Sequence, residues 1–374
     1  MAIISQDTKR FLRRVDFELL IASVAIVIYS LIMISSATHV NTPSEERFWF
    51  VQRQGIFALI NFAIAILFMN FDYRGLQQYG SRLYVFNLIM LIAVMLFGHA
   101  ALGAQRWIQL GPVSLQPSEF SKLIMIICMA SVLEGRMGKL NSLQDLFAVA
   151  LYVGVPFILV LKQPDLGTSL VFMAIFFGMI IACGVKWKIL VAIFLSGIAA
   201  MPFVWQFLKD YQKMRIMVFI DPNVDPLGSG YHIIQSKIAI GSGMVFGKGL
   251  FEGTQSQLNF LPENHTDFIF AVVGEEFGFV GAVILLLLYF VVLWRGMQIA
   301  RHASDIFGRL LAVGITSMLA FHILVNVGMT TGIMPVTGIP LPLMSYGISS
   351  LTTNILSIAI LMNIHMRKQK LILF

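Results

Sequence analysis

The stretch FELLIASVAIVIYSLIMISSA, Phe17 to Ala37, carries one charge, Glu18, at its edge. As a helix rising 1.5 Å per residue it reaches about 30 Å, the thickness of a bilayer's hydrocarbon core. The basic residues before it, Lys9, Arg10, Arg13 and Arg14, give it the look of a secretion signal. The apolar run is too long for a signal core, so it reads as an uncleaved first membrane helix. Runs of the same kind recur at roughly 51–70, 83–99, 119–134, 146–161, 166–184, 189–207, 267–294, 309–330 and 347–366. The fold class expected is an all-α integral membrane protein with about ten transmembrane helices in a single polytopic domain, 1–374. Composition agrees: 58% of the 374 residues are hydrophobic and 12% charged, and the mean hydropathy is +0.83. Period-two alternation, which a β-rich soluble chain would need, is absent. Cys128 and Cys183 both lie in apolar runs, where they suit helix packing rather than a disulfide framework or a metal site.

An even number of crossings puts both termini on one side of the membrane. With the termini cytoplasmic, the inside segments hold 16 of the 26 basic residues, among them Arg74, Arg82, Arg136, Lys139, Lys186, Lys188, Arg301, Arg367 and Lys370. The other ten, including Arg47, Arg53 and Lys162, fall outside, five of them in one long loop that translocates regardless of charge. That loop, 208–265, joins helices seven and eight and is extracytoplasmic on this reading. Its length and its Gly, Pro and polar content mark it as functional. Within it, Tyr231 to Ile240 has the pattern of a short interfacial or re-entrant helix. The net charge of +7 reflects topology; no basic stripe interleaved with aromatics points to nucleic acid.

Four outside stretches carry groups able to do chemistry. They are Gly103-Ala-Gln-Arg-Trp107 with Gln116-Pro-Ser-Glu119 and Lys122; Gln163-Pro-Asp-Leu-Gly-Thr168; Glu263-Asn-His-Thr-Asp267; and Pro340-Leu-Pro-Leu-Met-Ser-Tyr-Gly347. Glu119, Asp165 and Asp267 each open a helix, so each also reads as a cap complementing the positive helix end. Asp267 is set apart by a stripe of Ala271, Gly274, Gly278 and Gly281, the small-residue face along which membrane helices approach. Glu275 and Glu276 follow about 12 to 14 Å deeper, where carboxylates serve function or anchor a polar network. Arg106 and Lys122 suit an anionic phosphate ligand or an interfacial anchor, and Trp107 suits an aromatic belt. His322 and Asn326 read as interhelical hydrogen-bonding groups. Gly241-Ser-Gly243 and Gly247-Lys-Gly249 lack the strand–helix setting of a nucleotide loop.

Together these stretches resemble the SEDS family, the polytopic cell-wall proteins that include RodA, FtsW and SpoVE. The block Leu261-Pro-Glu-Asn-His-Thr-Asp-Phe-Ile-Phe-Ala-Val-Val-Gly-Glu-Glu276 is in register with the family block holding its catalytic aspartate. Asp225-Pro-Leu-Gly-Ser-Gly-Tyr231 agrees as well. His232 to Gly243, which contains Lys237, and Gly253-Thr-Gln-Ser-Gln257 are more similar to the elongation member RodA than to the division member FtsW. After Ser345-Tyr-Gly347 the family usually has a second glycine where this chain has Ile348.

The resemblance implies an inverting peptidoglycan glycosyltransferase that polymerises lipid II outside the bacterial cytoplasmic membrane during elongation. It would work with a class B penicillin-binding protein as transpeptidase and with other elongation-complex proteins. Asp267 is then the catalytic base. The substrate-side set is Arg106, Trp107, Glu119, Lys122, Asp165, Lys237 and Ser345. Arg106, Lys122 or a divalent cation, Mg or Mn, would meet the departing pyrophosphate, and no other cofactor is expected. The competing readings are a lipid II flippase, a noncatalytic scaffold, and the division or sporulation member of the same family.

Overall fold

The computed structural model describes residues 14–39, 48–101, 104–111, 113–140, 142–226 and 228–368. Lys9, Arg10, Arg13, Arg47, Gly103 and Lys370 lie outside the described residues. The helices are α1 (Phe17–Ala37), α2 (Trp49–Asn70), α3 (Gly80–Phe97), α4 (Pro117–Glu134), α5 (Leu143–Lys162), α6 (Leu166–Ala182), α7 (Trp187–Phe207), α8 (Asp210–Ile220), α9 (Ser229–Ser242), α10 (Thr254–Gln257), α11 (Ile269–Glu276), α12 (Gly278–Arg301), α13 (Ile306–Thr331) and α14 (Ile348–Arg367). Seven helical segments among the described residues are long and apolar enough to cross a membrane: α1, α2, α3 with the 3₁₀ turn before it, α5, α12, α13 and α14. Helices α4, α6 and α7 coincide with the other three expected spans. Of these, α4 carries Glu119, Lys122 and Glu134, and α6 is 17 residues long.

Side chains supply what the helix ends lack. Asp16, Ser142, Asp165 and Asp305 each accept a backbone N–H two or three residues into α1, α5, α6 and α13. Asp16 is also buried against Arg295, which meets it through Nε and Nη2 at 2.7 to 3.1 Å and so ties α1 to α12. Helix α13 is central, packed on α12, α6 and α4, while α14 lies along α2. The outward faces of α2, α3, α7 and α12 expose Leu59, Ile89, Leu195, Leu287 and similar residues, which a lipid environment solvates. Both cysteines are buried thiols.

Two features differ from the sequence reading. A small antiparallel sheet, β1 (His99–Ala101), β2 (Ala104–Leu110) and β3 (Val113–Leu115), stands between α3 and α4 in order β1-β2-β3. The three residues of β1 and of β3 are too few for a strand to announce itself by alternation, and the seven of β2, AQRWIQL, do not alternate strictly.

The expected span 267–294 is two helices, not one. Helix α11 ends at Glu276, and α12 begins at Gly278, whose φ of +63° is left-handed. The small-residue stripe is therefore divided: Gly274 faces Ile240 of α9, and Gly281 faces Tyr29 of α1. The chain from Gly243 to Gly249 closes the break. Lys248 and Gly249 donate N–H to the carbonyls of Glu275 and Glu276 at 3.0 Å, and the N–H groups of Phe279 and Val280 reach Met244 and Val245 at 2.9 and 3.1 Å. Backbone groups freed by the break thus find partners where water is scarce. Both acids of the break are network anchors. Glu275 is buried and accepts from Lys248 Nζ (2.9 Å), Gln255 N and Ser256 N; Glu276 accepts from Ser36 and Gln257.

Candidate active site

The alternating helices bring the C-termini of α1, α3, α5, α7 and α13 to the same end as the sheet, the α8–α10 segment and the 333–347 loop. A cavity of about 300 Å³ opens there. One wall is Arg106 and Trp107 of β2 with Arg215 of α8; another is Glu263, Thr266 and Asp267; Gln116, Glu119 and Thr168 form a third; Thr337, Gly338, Pro340 and Tyr346 close it.

Asp267 precedes α11 and does not cap it, since the N-cap residue is Phe268 and no side chain caps that end. It lies on a turn whose backbone is fixed from several sides. Asn326 Nδ2 donates to the Asp267 carbonyl (2.9 Å) and to that of Ile339 (2.8 Å). Ser345 Oγ donates to the Thr266 carbonyl (2.6 Å), and Tyr346 N donates to that of His265 (2.9 Å). The half-buried carboxylate accepts no hydrogen bond from the described residues and faces Gly338; a Cβ at that glycine would stand 3.3 Å from Asp267 Oδ2. Its pKa is pushed up to about 6, first by burial and then by Glu263, with Arg215 and Arg106 opposing. A carboxylate unengaged, aimed into a cavity and titrating near neutrality has the attributes of a general base.

The cations sort differently from the sequence expectation. Arg106 donates to the carbonyls of Gln163 and Pro164 and stands 3.8 Å from Asp165, with its guanidinium on the cavity. Lys122 is not a free cation. It is 1% exposed, donates to Glu119 Oε1 at 2.7 Å and meets His322 Nε2 at 3.0 Å. His322 Nδ1 lies 3.1 Å from the Pro340 carbonyl, which only accepts; the proton is on Nδ1, and Nε2 accepts from Lys122. Stripping one partner from a buried pair of this kind costs about 3–5 kcal/mol, so Lys122 holds the cavity wall by way of Glu119. The second guanidinium on the cavity is Arg215, which makes no ion pair among the described residues. Burial and the neighbouring charge of Arg106 press its pKa down, so two like charges share one cavity.

The remaining candidates are placed as follows. Trp107 and Glu119 line the cavity. Asp165 is a cap, taking Thr168 N and Oγ together with Gln116 Nε2 at 3.0 to 3.2 Å. Ser345 is spent on backbone, accepting from Leu341 N and donating to Thr266 O. Lys237 is exposed on α9, its chain against Gly332 at the C-terminus of α13, and is outside the cavity lining. Ile348 is buried in the first turn of α14. Arg215 is a cavity residue that the sequence did not single out, since nothing separates it in the chain from Lys209 or Lys213; Glu263 opens one of the four candidate stretches, where the sequence assigns it no role of its own. Among the described residues no group of three or more His, Cys, Asp or Glu side chains is arranged to hold a metal. The positive charge that the described residues bring to the cavity is that of two guanidiniums, Arg106 and Arg215.

Residues 17–370 match the cell cycle protein family of FtsW, RodA and SpoVE. The chain is 41% identical over 357 residues to the peptidoglycan glycosyltransferase MrdB of Escherichia coli K12, covering 95% of each. It is 39% identical to the stage V sporulation protein E of Bacillus subtilis, covering 93% of this chain and 96% of that one. Among solved structures it is similar to a chain of a peptidoglycan synthase complex that coordinates polymerization and crosslinking (TM-score 0.81, 31% identity, 95% and 99% covered). It is also similar to the rod shape determining protein RodA of Thermus thermophilus (TM-score 0.70, 30% identity, 94% and 96% covered).

Proposed function

The chain belongs to the FtsW, RodA and SpoVE family of cell cycle proteins and is a peptidoglycan glycosyltransferase, and we propose that it polymerises lipid II with Asp267 as the general base. The observation that carries this is the pairing, in one cavity, of an unengaged carboxylate titrating near 6 with two guanidiniums, Arg106 and Arg215. Asp267 takes the proton of the acceptor sugar hydroxyl as that oxygen attacks the anomeric carbon of the donor from the face opposite the pyrophosphate. The new glycosidic C–O bond forms, the bond to the lipid pyrophosphate breaks, and the configuration inverts. Arg106 and Arg215 meet the charge that builds on the leaving oxygen; Trp107 and Tyr346 supply ring faces for sugar, and Glu119, fixed by Lys122, accepts from its polar groups.

The elongation reading is supported by the likeness to MrdB and RodA. Both termini are cytoplasmic and the cavity opens outside, because the short loops at the opposite end carry the basic excess. A class B penicillin-binding protein is the transpeptidase partner, a reading supported by the likeness to a chain of a synthase complex. The test is glycan polymerisation from lipid II by purified protein, alone and with such a partner. Strands formed only when the partner is present, or faster with it, support the reading. Movement of lipid II across vesicles without polymerisation in either condition would favour a flippase.

A further inference from the structure

Asp267 and Glu263 stand four residues apart on one turn, and both open on the same cavity. The turn is unusual in its backbone. Glu263 takes a φ of +52°, a left-handed conformation that a residue with a Cβ adopts only when its surroundings impose it. Its carbonyl accepts the N–H groups of Thr266 (3.2 Å) and Phe268 (3.1 Å), and its Oε2 accepts from Thr266 Oγ (2.9 Å). The chain therefore doubles back and fixes Glu263 at the exposed mouth above the deeper Asp267.

We propose that Glu263 is a positioning residue for the reaction: its carboxylate, held at the mouth by the left-handed turn, offsets for Asp267 the positive charge that Arg106 and Arg215 bring to the same cavity. The inference rests on the reading of Asp267 as the base. Every charged group facing Asp267 has a different employment. Asp165, from the start of α6, raises the Asp267 pKa as Glu263 does but by less, and it is engaged by Thr168, Gln116 and Arg106. Glu119, from α4, is neutralised by Lys122. Arg106 of β2 and Arg215 of α8 draw the Asp267 pKa down. His232 of α9 and His265 of the turn are pressed toward the neutral form by burial, so neither adds a positive charge. Glu263 has only the Thr266 hydroxyl as a side-chain partner among the described residues, and after burial it is the largest influence raising the Asp267 pKa. Without it, only Asp165, itself 3.8 Å from Arg106, would be left to offset the two guanidiniums, and the base would be acidified by the groups that serve the leaving pyrophosphate. The geometry thus separates two demands that otherwise conflict, strong positive potential for the anion and a base titrating near neutrality.

The test is a pair of measurements on the full chain with its transpeptidase partner. Infrared titration follows the protonated carboxyl band of Asp267, assigned by its disappearance in Asp267→Asn, and polymerisation rates are recorded across pH. In Glu263→Gln the Asp267 titration and the acid limb of the rate profile are both expected to move down by roughly half to one pH unit. Glu263→Asp should restore most of the shift. An Asp267 titration unmoved in Glu263→Gln overturns the proposal, whatever the activity, and so does a rate lowered equally at all pH values with the limb unmoved. Full polymerisation by Asp267→Asn would instead overturn the assignment of the base.

Discussion

Arg215 joins chemistry to charge most directly. Replacing it with Gln removes half of the cavity's guanidinium charge and one of the two groups that lower the Asp267 pKa. Two consequences follow with fixed signs. Kcat/KM for lipid II should fall about 10- to 100-fold. The acid limb, where activity is lost as Asp267 protonates near pH 6, should move to higher pH, opposite to the effect of Glu263→Gln. Lys237→Gln, outside the cavity, should leave both unchanged; steady-state rates across pH check all three. Asp267 and Glu119 were legible in the chain because each stands at a helix start, beside Phe268 and Pro117, and Arg106 and Trp107 because a cation and an aromatic stand together in an outside connection. Arg215 was not, since one basic residue among several in a long loop has no local signature. The pairing of Lys122 with His322, 200 positions apart, is likewise set by tertiary packing of α4 on α13. The sequence gives each residue its charge but not its neighbour.

The division between α11 and α12 is what lets the 243–257 segment dock and the Asp267 turn sit beside it. Composition hid it, because the small residues Gly274, Gly278 and Gly281 fall at helical spacing and read as one packing face of a single span; the left-handed φ of Gly278 goes with the close approach of Gly243 and Gly247 across the break. At Gly278 an alanine would take a strained conformation and put its Cβ 2.4 Å from Gly247 N and 2.7 Å from Val245 O. The expected loss is about 2–4 kcal/mol, read as a lower Tm in detergent. Gly241 is the control. It lies inside α9 with nothing within 4 Å of a Cβ, so alanine there should leave stability unchanged or raise it by about 0.5–1 kcal/mol. Equal Tm values for the two variants would show that the break is not held as described. Nine of the ten spans were legible, with ends within a few residues, because runs of about 20 apolar residues have few other uses. The eighth, expected at 267–294, is Gly278–Arg301 preceded by a separate short helix. That break and the sheet were not legible, because they are made by backbone pairing over short segments.

The packed bundle places cavity and basic loops at opposite ends, which makes orientation testable on one chain. The native thiols are buried, so single cysteines can be read against a low background. A cysteine at exposed Glu252 should react with an impermeant thiol reagent in intact cells, and one at exposed Lys139 only after permeabilisation. The reverse pattern would invert the topology. With orientation fixed, the account stands on the carboxylate at the cavity floor. Asp267→Asn keeps shape and volume but cannot take a proton near neutral pH. The most direct measurement is glycan polymerisation from lipid II by folded, partner-bound Asp267→Asn beside the wild type. A loss of about 100-fold or more is expected; strands made at near wild-type rate would contradict the assignment of Asp267 as the base.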